Sequence, residues 1–164
     1  MNYSWVYTAA KRNWFRLIAI TLVVILNAGL SKPAITAQEN TAAKAINLDA
    51  IAWGPPGGGN GFPVGVRTAQ QGLDSATLGV TYYALFPAGS KFDSHWHSHD
   101  EFVVVAKGSV NIVLADEVYA LTAGAYIVIP GAVKHEWIVP QGAEDAIILV
   151  RRAGPADFHF AETP

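Results

Sequence analysis

Apolar and polar positions alternate along this chain in short runs. The runs 78–86, 101–107, 110–114, 118–121, 126–129, 136–139 and 146–151 are rich in Val, Ile, Leu and aromatic residues. Turn-forming groups separate them: Pro87-Ala88-Gly89, Lys107-Gly108-Ser109, Ala115-Asp116-Glu117, Thr122-Ala123-Gly124, Pro130-Gly131-Ala132 and Pro140-Gln141-Gly142. Runs this short and this evenly spaced, with no helical period, predict an all-β sandwich or barrel. A further strand is expected over 46–53, ending at Gly54-Pro55-Pro56-Gly57-Gly58-Gly59-Asn60-Gly61. That glycine-rich stretch lacks the Gly-Lys-Ser/Thr ending of a phosphate loop, and its prolines oppose an immediate helix, so it reads as a loop near a barrel mouth.

Residues 17–30 (LIAITLVVILNAGL) break the pattern as an uncharged apolar run behind Lys11, Arg12 and Arg16. Fourteen residues fall short of the ~20 of a membrane span and suit the core of an export signal. The expected organisation is an export signal over 1–37, cleaved after Ala37 or retained as an anchor. A linker, N-terminal strand and glycine-rich loop follow over 38–72, and a barrel with a C-terminal extension over 73–164. The expected location is periplasmic or extracellular, with membrane attachment only if the signal stays. The signal carries four basic residues (Lys11, Arg12, Arg16, Lys32) and no acid, so its loss takes the formal charge from −2 to −6. An acidic domain without a basic stripe argues against nucleic acid as a partner. There is no cysteine, so the fold must rest on its core and any metal on nitrogen and oxygen donors.

The chemistry gathers between positions 89 and 135. Alternate residues of a strand share a face, which aims His95 and His97 at one point. Ser98-His99-Asp100 can turn the chain so that Glu101, heading the run Phe102-Val103-Val104-Val105, returns toward them, and His135 follows another β-rich stretch. A lone His-x-His is more often an exposed or hydrogen-bonded pair than a ligand pair, so the wider spacing carries the argument. Gly89, His95, His97, Glu101 and Gly108, followed by Gly124, Pro130 and His135, resemble the two motifs of the cupins, in particular the small single-domain bacterial cupins behind an export signal. Ala132 and Val139 depart from the glycine and asparagine of the second motif.

The resemblance spans roughly 73–152 and implies a jelly-roll barrel in which His95, His97, Glu101 and His135 bind one divalent transition metal (Fe, Mn, Zn, Ni or Cu) with open positions for a ligand. Trp137, Tyr82 and Tyr126 are candidate pocket walls, beside Tyr83, Phe86 and Phe92, and Trp96 should face away. His99 reads as a rim residue and His159 as structural or interfacial. Glu101 is the candidate catalytic group, able to move a proton, with no separate acid or base in view. The expected function is a metal-dependent oxygenase, isomerase or lyase acting on a small organic molecule, and by analogy a homodimer. The alternatives are a metal- or ligand-binding module without catalysis and a metal-free structural barrel.

Overall fold

The computed structural model describes residues 43–161. The apolar run at 17–30 and the export signal expected over 1–37 lie outside the described residues. Ten strands follow a short 3-10 helix, Leu48–Ala50: β1 Arg67–Leu73, β2 Val80–Phe86, β3 Lys91–Trp96, β4 Glu101–Lys107, β5 Ser109–Leu114, β6 Glu117–Thr122, β7 Tyr126–Ile129, β8 His135–Ile138, β9 Ala146–Arg152 and β10 His159–Phe160. They form two antiparallel five-stranded sheets, ordered β1-β2-β9-β4-β7 and β10-β3-β8-β5-β6.

Alternation along the strands builds the core. Val103 and Val105 of β4, Val110 and Ile112 of β5, and Ala146, Ile148 and Val150 of β9 point between the sheets and pack with Phe86, Ile129 and Trp137. The same inward row of β4 begins with Glu101, and that of β9 ends with Arg152, so both polar residues are buried at one end of the core. The turn from β4 to β5 is made at Gly108, with φ +75°, where a Cβ would come within 2.7 Å of the Asp145 carbonyl.

Seven expected runs coincide with β2 and β4 to β9, with ends differing by two residues or fewer. The strand expected over 46–53 is not formed. Asn47 to Ala50 close a 3-10 turn, and Gly54 and Gly57 bond Thr68 and Val66 of the β1 region only singly, because Pro55 and Pro56 have no N–H for a ladder. The sheet starts instead at Arg67, ahead of the barrel start expected at 73. β1 is polar and buries only Ala69, so it shows no apolar alternation to read.

Ile112, fully buried at the centre of β5, reports on this packing. Ile112→Ala is expected to cost about 2–5 kcal/mol, read as a lower denaturant midpoint at unchanged slope.

Candidate metal centre

Three imidazoles converge where the two sheets meet. β3 and β8 are antiparallel neighbours in which His95 lies directly opposite His135. A bulge in β3 between Phe92 and His95 lets both face inward despite their odd spacing, and their rings stack at 3.9 Å. His97 follows on the same face just past β3, where its carbonyl accepts a hydrogen bond from the Ala132 N–H at 2.7 Å. One ligand nitrogen from each of His95, His97 and His135 lies within 4.8 Å of the others, and all three residues are buried. Glu101 enters from the opposite sheet, its Oε2 3.4 Å from His97 Nε2 and 3.6 Å from His135 Nε2. The structure thus brings together all four residues of the expected ligand set.

Backbone carbonyls set the state of each ring. The Nδ1 atoms of His95, His97 and His135 face the carbonyls of Asp93 (2.6 Å), Asp157 (2.6 Å) and Val133 (3.1 Å). A carbonyl can only accept, so each Nδ1 carries a proton and Nε2 is the ring atom left to ligate. His97 Nε2, His135 Nε2 and Glu101 Oε2 are buried and hydrogen-bond to nothing among the described residues. Converging buried acceptors with no donor are the arrangement a cation satisfies, and oriented imidazoles beside a carboxylate suit a first-row divalent ion. Burial and the neighbouring His135 push His95 down to about 3, and burial likewise lowers His135, so these imidazoles stay neutral and able to ligate. Burial works against the Glu101 charge, but the adjacent His97 and Arg152 outweigh it and hold the carboxyl below the usual range.

Arg152 was not among the residues singled out from sequence. It sits opposite Glu101 in the β4–β9 ladder, its Nη2 3.5 Å from Glu101 Oε1 and 3.4 Å from the Tyr82 hydroxyl. Its place on the inward row after Ala146, Ile148 and Val150 was the available signal. Tyr82 is pushed up to about 12 by burial and by the Glu101 charge, so it keeps its proton.

A cavity of about 70 Å³ adjoins the cluster, walled by His95, Glu101, Tyr82, Trp137, Phe92 and Phe158 among others. A wider space of about 340 Å³ shares Phe62, Thr68, Tyr82 and Phe158 with it and reaches Gln70 and Val80. Tyr82 and Trp137 therefore stand where a pocket wall was expected, and the glycine-rich loop reaches the cavity through Phe62. Tyr126 does not: it is 59% exposed, because Ile129 and Ile127 take the inward positions of β7 and leave Tyr126 on the outer face. Trp96 turns away from the cluster and stacks on His159 at 4.0 Å, and His99 is exposed.

Beyond β9 the chain doubles back over the histidines. The Asp157 carboxylate accepts from the Ser98 N–H (3.1 and 3.3 Å) and pairs with His159 Nε2 (3.0 Å), bonds that outweigh its slight burial and hold it far below the usual carboxylate range. Phe158 stands edge-on to His97 at 5.0 Å, and β10 adds to β3 with Phe160 opposite His95. Gly61 lies so close to the Phe160 ring, at φ +90°, that a side chain there would collide with it. This strap covers the cluster and supplies the carbonyl that orients His97.

The family described as Cupin domain matches residues 82–150. No curated protein matches the sequence. Among solved structures, the polyketide cyclase RemF from Streptomyces resistomycificus is 16% identical, with 74% of this chain and 87% of that chain covered at a TM-score of 0.58. A cupin-2 domain protein from Rhodospirillum rubrum is 15% identical over 73% and 80% of the two chains, at 0.59. A cupin-like protein from Thermotoga maritima is 16% identical over 70% and 90%, at 0.60. The fold is a cupin jelly roll, and the family match with these neighbours supports the cupin superfamily.

Two outcomes follow from this geometry. His95 and His135 have lowered folded-state pKa values, so below the ordinary value near 6.5 the unfolded chain takes up protons that the folded site refuses. Metal-free protein is therefore expected to keep its full stability above about pH 6.5 and to lose it progressively toward about pH 3, where His95 itself titrates, as followed by thermal midpoints in chelator. Asp157→Ala releases the strap from Ser98 and His159, and is expected to weaken metal affinity about tenfold through His97, measured by competition with a chromophoric chelator.

Proposed function

We propose that this protein holds one divalent transition metal through His95, His97, His135 and Glu101 and is a metal-dependent enzyme acting on a small organic molecule. The observation that carries the reading is the set of Nε2 and Oε2 atoms left without donors while every Nδ1 is bonded to a carbonyl. Four nitrogen and oxygen donors with no sulfur admit Fe, Mn, Zn, Ni or Cu. Such an ion supplies Lewis acidity, or redox chemistry where it is iron or copper. Glu101 is the group we assign to proton movement, with Arg152 holding its second oxygen. Phe158 and Phe62 narrow the approach of water, and Tyr82 offers a proton it does not readily lose. RemF, a polyketide cyclase, shows that the fold accommodates an enzyme. Oxygenase, isomerase and lyase chemistry all suit this donor set.

One observation favours a second reading, a binding module without catalysis. Besides the ligands, Tyr82 is the titratable group in the inner cavity's lining among the described residues, and it keeps its proton at neutral pH. We further propose export by the 1–37 segment to the periplasm or beyond, and a homodimer formed over the outer strands, where Tyr126, Val128 and Val118 are exposed.

The deciding experiment is elemental mass spectrometry on the purified protein beside His97→Ala. Near-stoichiometric metal in the wild type and its loss in the variant are expected. Absence of metal from the wild type after reconstitution with each candidate ion would overturn the proposal.

A further inference from the structure

We propose that Arg152, with Tyr82 beside it, makes the site selective for a small organic anion, a carboxylate carried on an apolar body. This rests on the metal reading above and names the class of ligand that the same site takes.

Arg152 is 1% exposed, a depth at which a guanidinium normally has its donors paired. Among the described residues its only polar partners are reached through Nη2, at 3.5 Å to Glu101 and 3.4 Å to Tyr82. Nε and Nη1 are buried and bond to nothing among the described residues. Each shares one edge of the planar guanidinium with Nη2, so a carboxylate can bind along an edge through one of these free donors and Nη2. The Tyr82 hydroxyl accepts from Arg152 and donates to no group among the described residues, so its proton is free for the same anion.

Position points the same way. Glu101 and Tyr82 contact the guanidinium, the Phe158 ring lies 5.1 Å from it, and all three wall the inner cavity beside His95. The guanidinium thus stands directly behind that part of the wall. Charge supplies an independent argument. Glu101 and Arg152 cancel, and an imidazole that ligates through Nε2 does so in its neutral form, so a bound divalent ion would leave two uncompensated positive charges in a buried cluster. Such a cluster demands an anion. The rest of the lining, with Phe62, Val80, Phe92, Phe158 and Trp137, has no charge to offer and fits an apolar body.

The test compares benzoate and isobutyrate with benzamide and isobutyramide, by calorimetry on metal-loaded full-length protein. Wild type is expected to bind at least one acid about tenfold or more tighter than its amide. Arg152→Lys, which keeps the charge but loses the planar donors, and Arg152→Met are expected to abolish that preference when compared with wild type at equal metal occupancy. Tyr82→Phe should reduce it. No acid-over-amide preference in the wild type overturns the proposal, as does a preference that persists in metal-loaded Arg152 variants, the signature of an acid bound by the metal alone. If neither Arg152 variant folds, an unchanged preference in Tyr82→Phe overturns it. A wild type that takes up no metal defeats the underlying reading instead, and the metal assay shows that before any acid is added.

Discussion

Strand register within each of the two sheets is the constraint on which this site depends. His95 faces His135 in the β3–β8 ladder, and Glu101 faces Arg152 in the β4–β9 ladder. A slip of one residue in either ladder would turn the polar row outward and bring an outward residue, such as Phe102 or Glu136, into the core. The apolar rows that share those faces, Val103 and Val105 on β4, Trp137 on β8, Ile148 and Val150 on β9, prevent the slip because it would expose all of them at once. Hydrophobic burial therefore holds the ligands in place, although no apolar residue needs to be a ligand.

Much of this was legible in sequence because strand alternation is a local property. His95 and His97 could be placed on one face from spacing alone, Glu101 and His135 joined them through the resemblance to the cupin motifs, and seven of the strands stood out as apolar runs between turns. What stayed hidden depends on neighbours distant in sequence. Arg152 lay just past the apolar run 146–151, and only its pairing with Glu101 gives it a role. The bulge that turns both Phe92 and His95 inward is a property of the β3–β8 pair. β1 escaped because a polar edge strand buries little, and Tyr126 was misassigned because an aromatic residue carries no label for the side of the strand it occupies.

The strap shows the same limit from another direction. Residues 153–161 have no strong pattern, yet Asp157 and Phe158 touch the centre of the site. His95 and His135 find their carbonyls two residues back on their own segments, at Asp93 and Val133, whereas His97 must wait for Asp157, sixty residues on. Two imidazoles are thus oriented as soon as β3 and β8 form, and the third only when the chain end has folded over the barrel.

That division couples the site to stability unevenly. The core between the sheets needs no metal, since Val103, Val105, Ile112 and their neighbours pack without reference to the histidines. The end of the barrel is different, because its buried acceptors have no donors and the buried guanidinium has donors to spare. Each group left unmatched there opposes burial, and the opposition falls most on the strap, whose hydrogen bonds involve partly exposed groups. A cation among the acceptors and an anion on the guanidinium would remove both mismatches together. Ligation would then stabilise the strap more than the barrel, and through Asp157 the closed strap would hold His97 in the orientation that ligation requires.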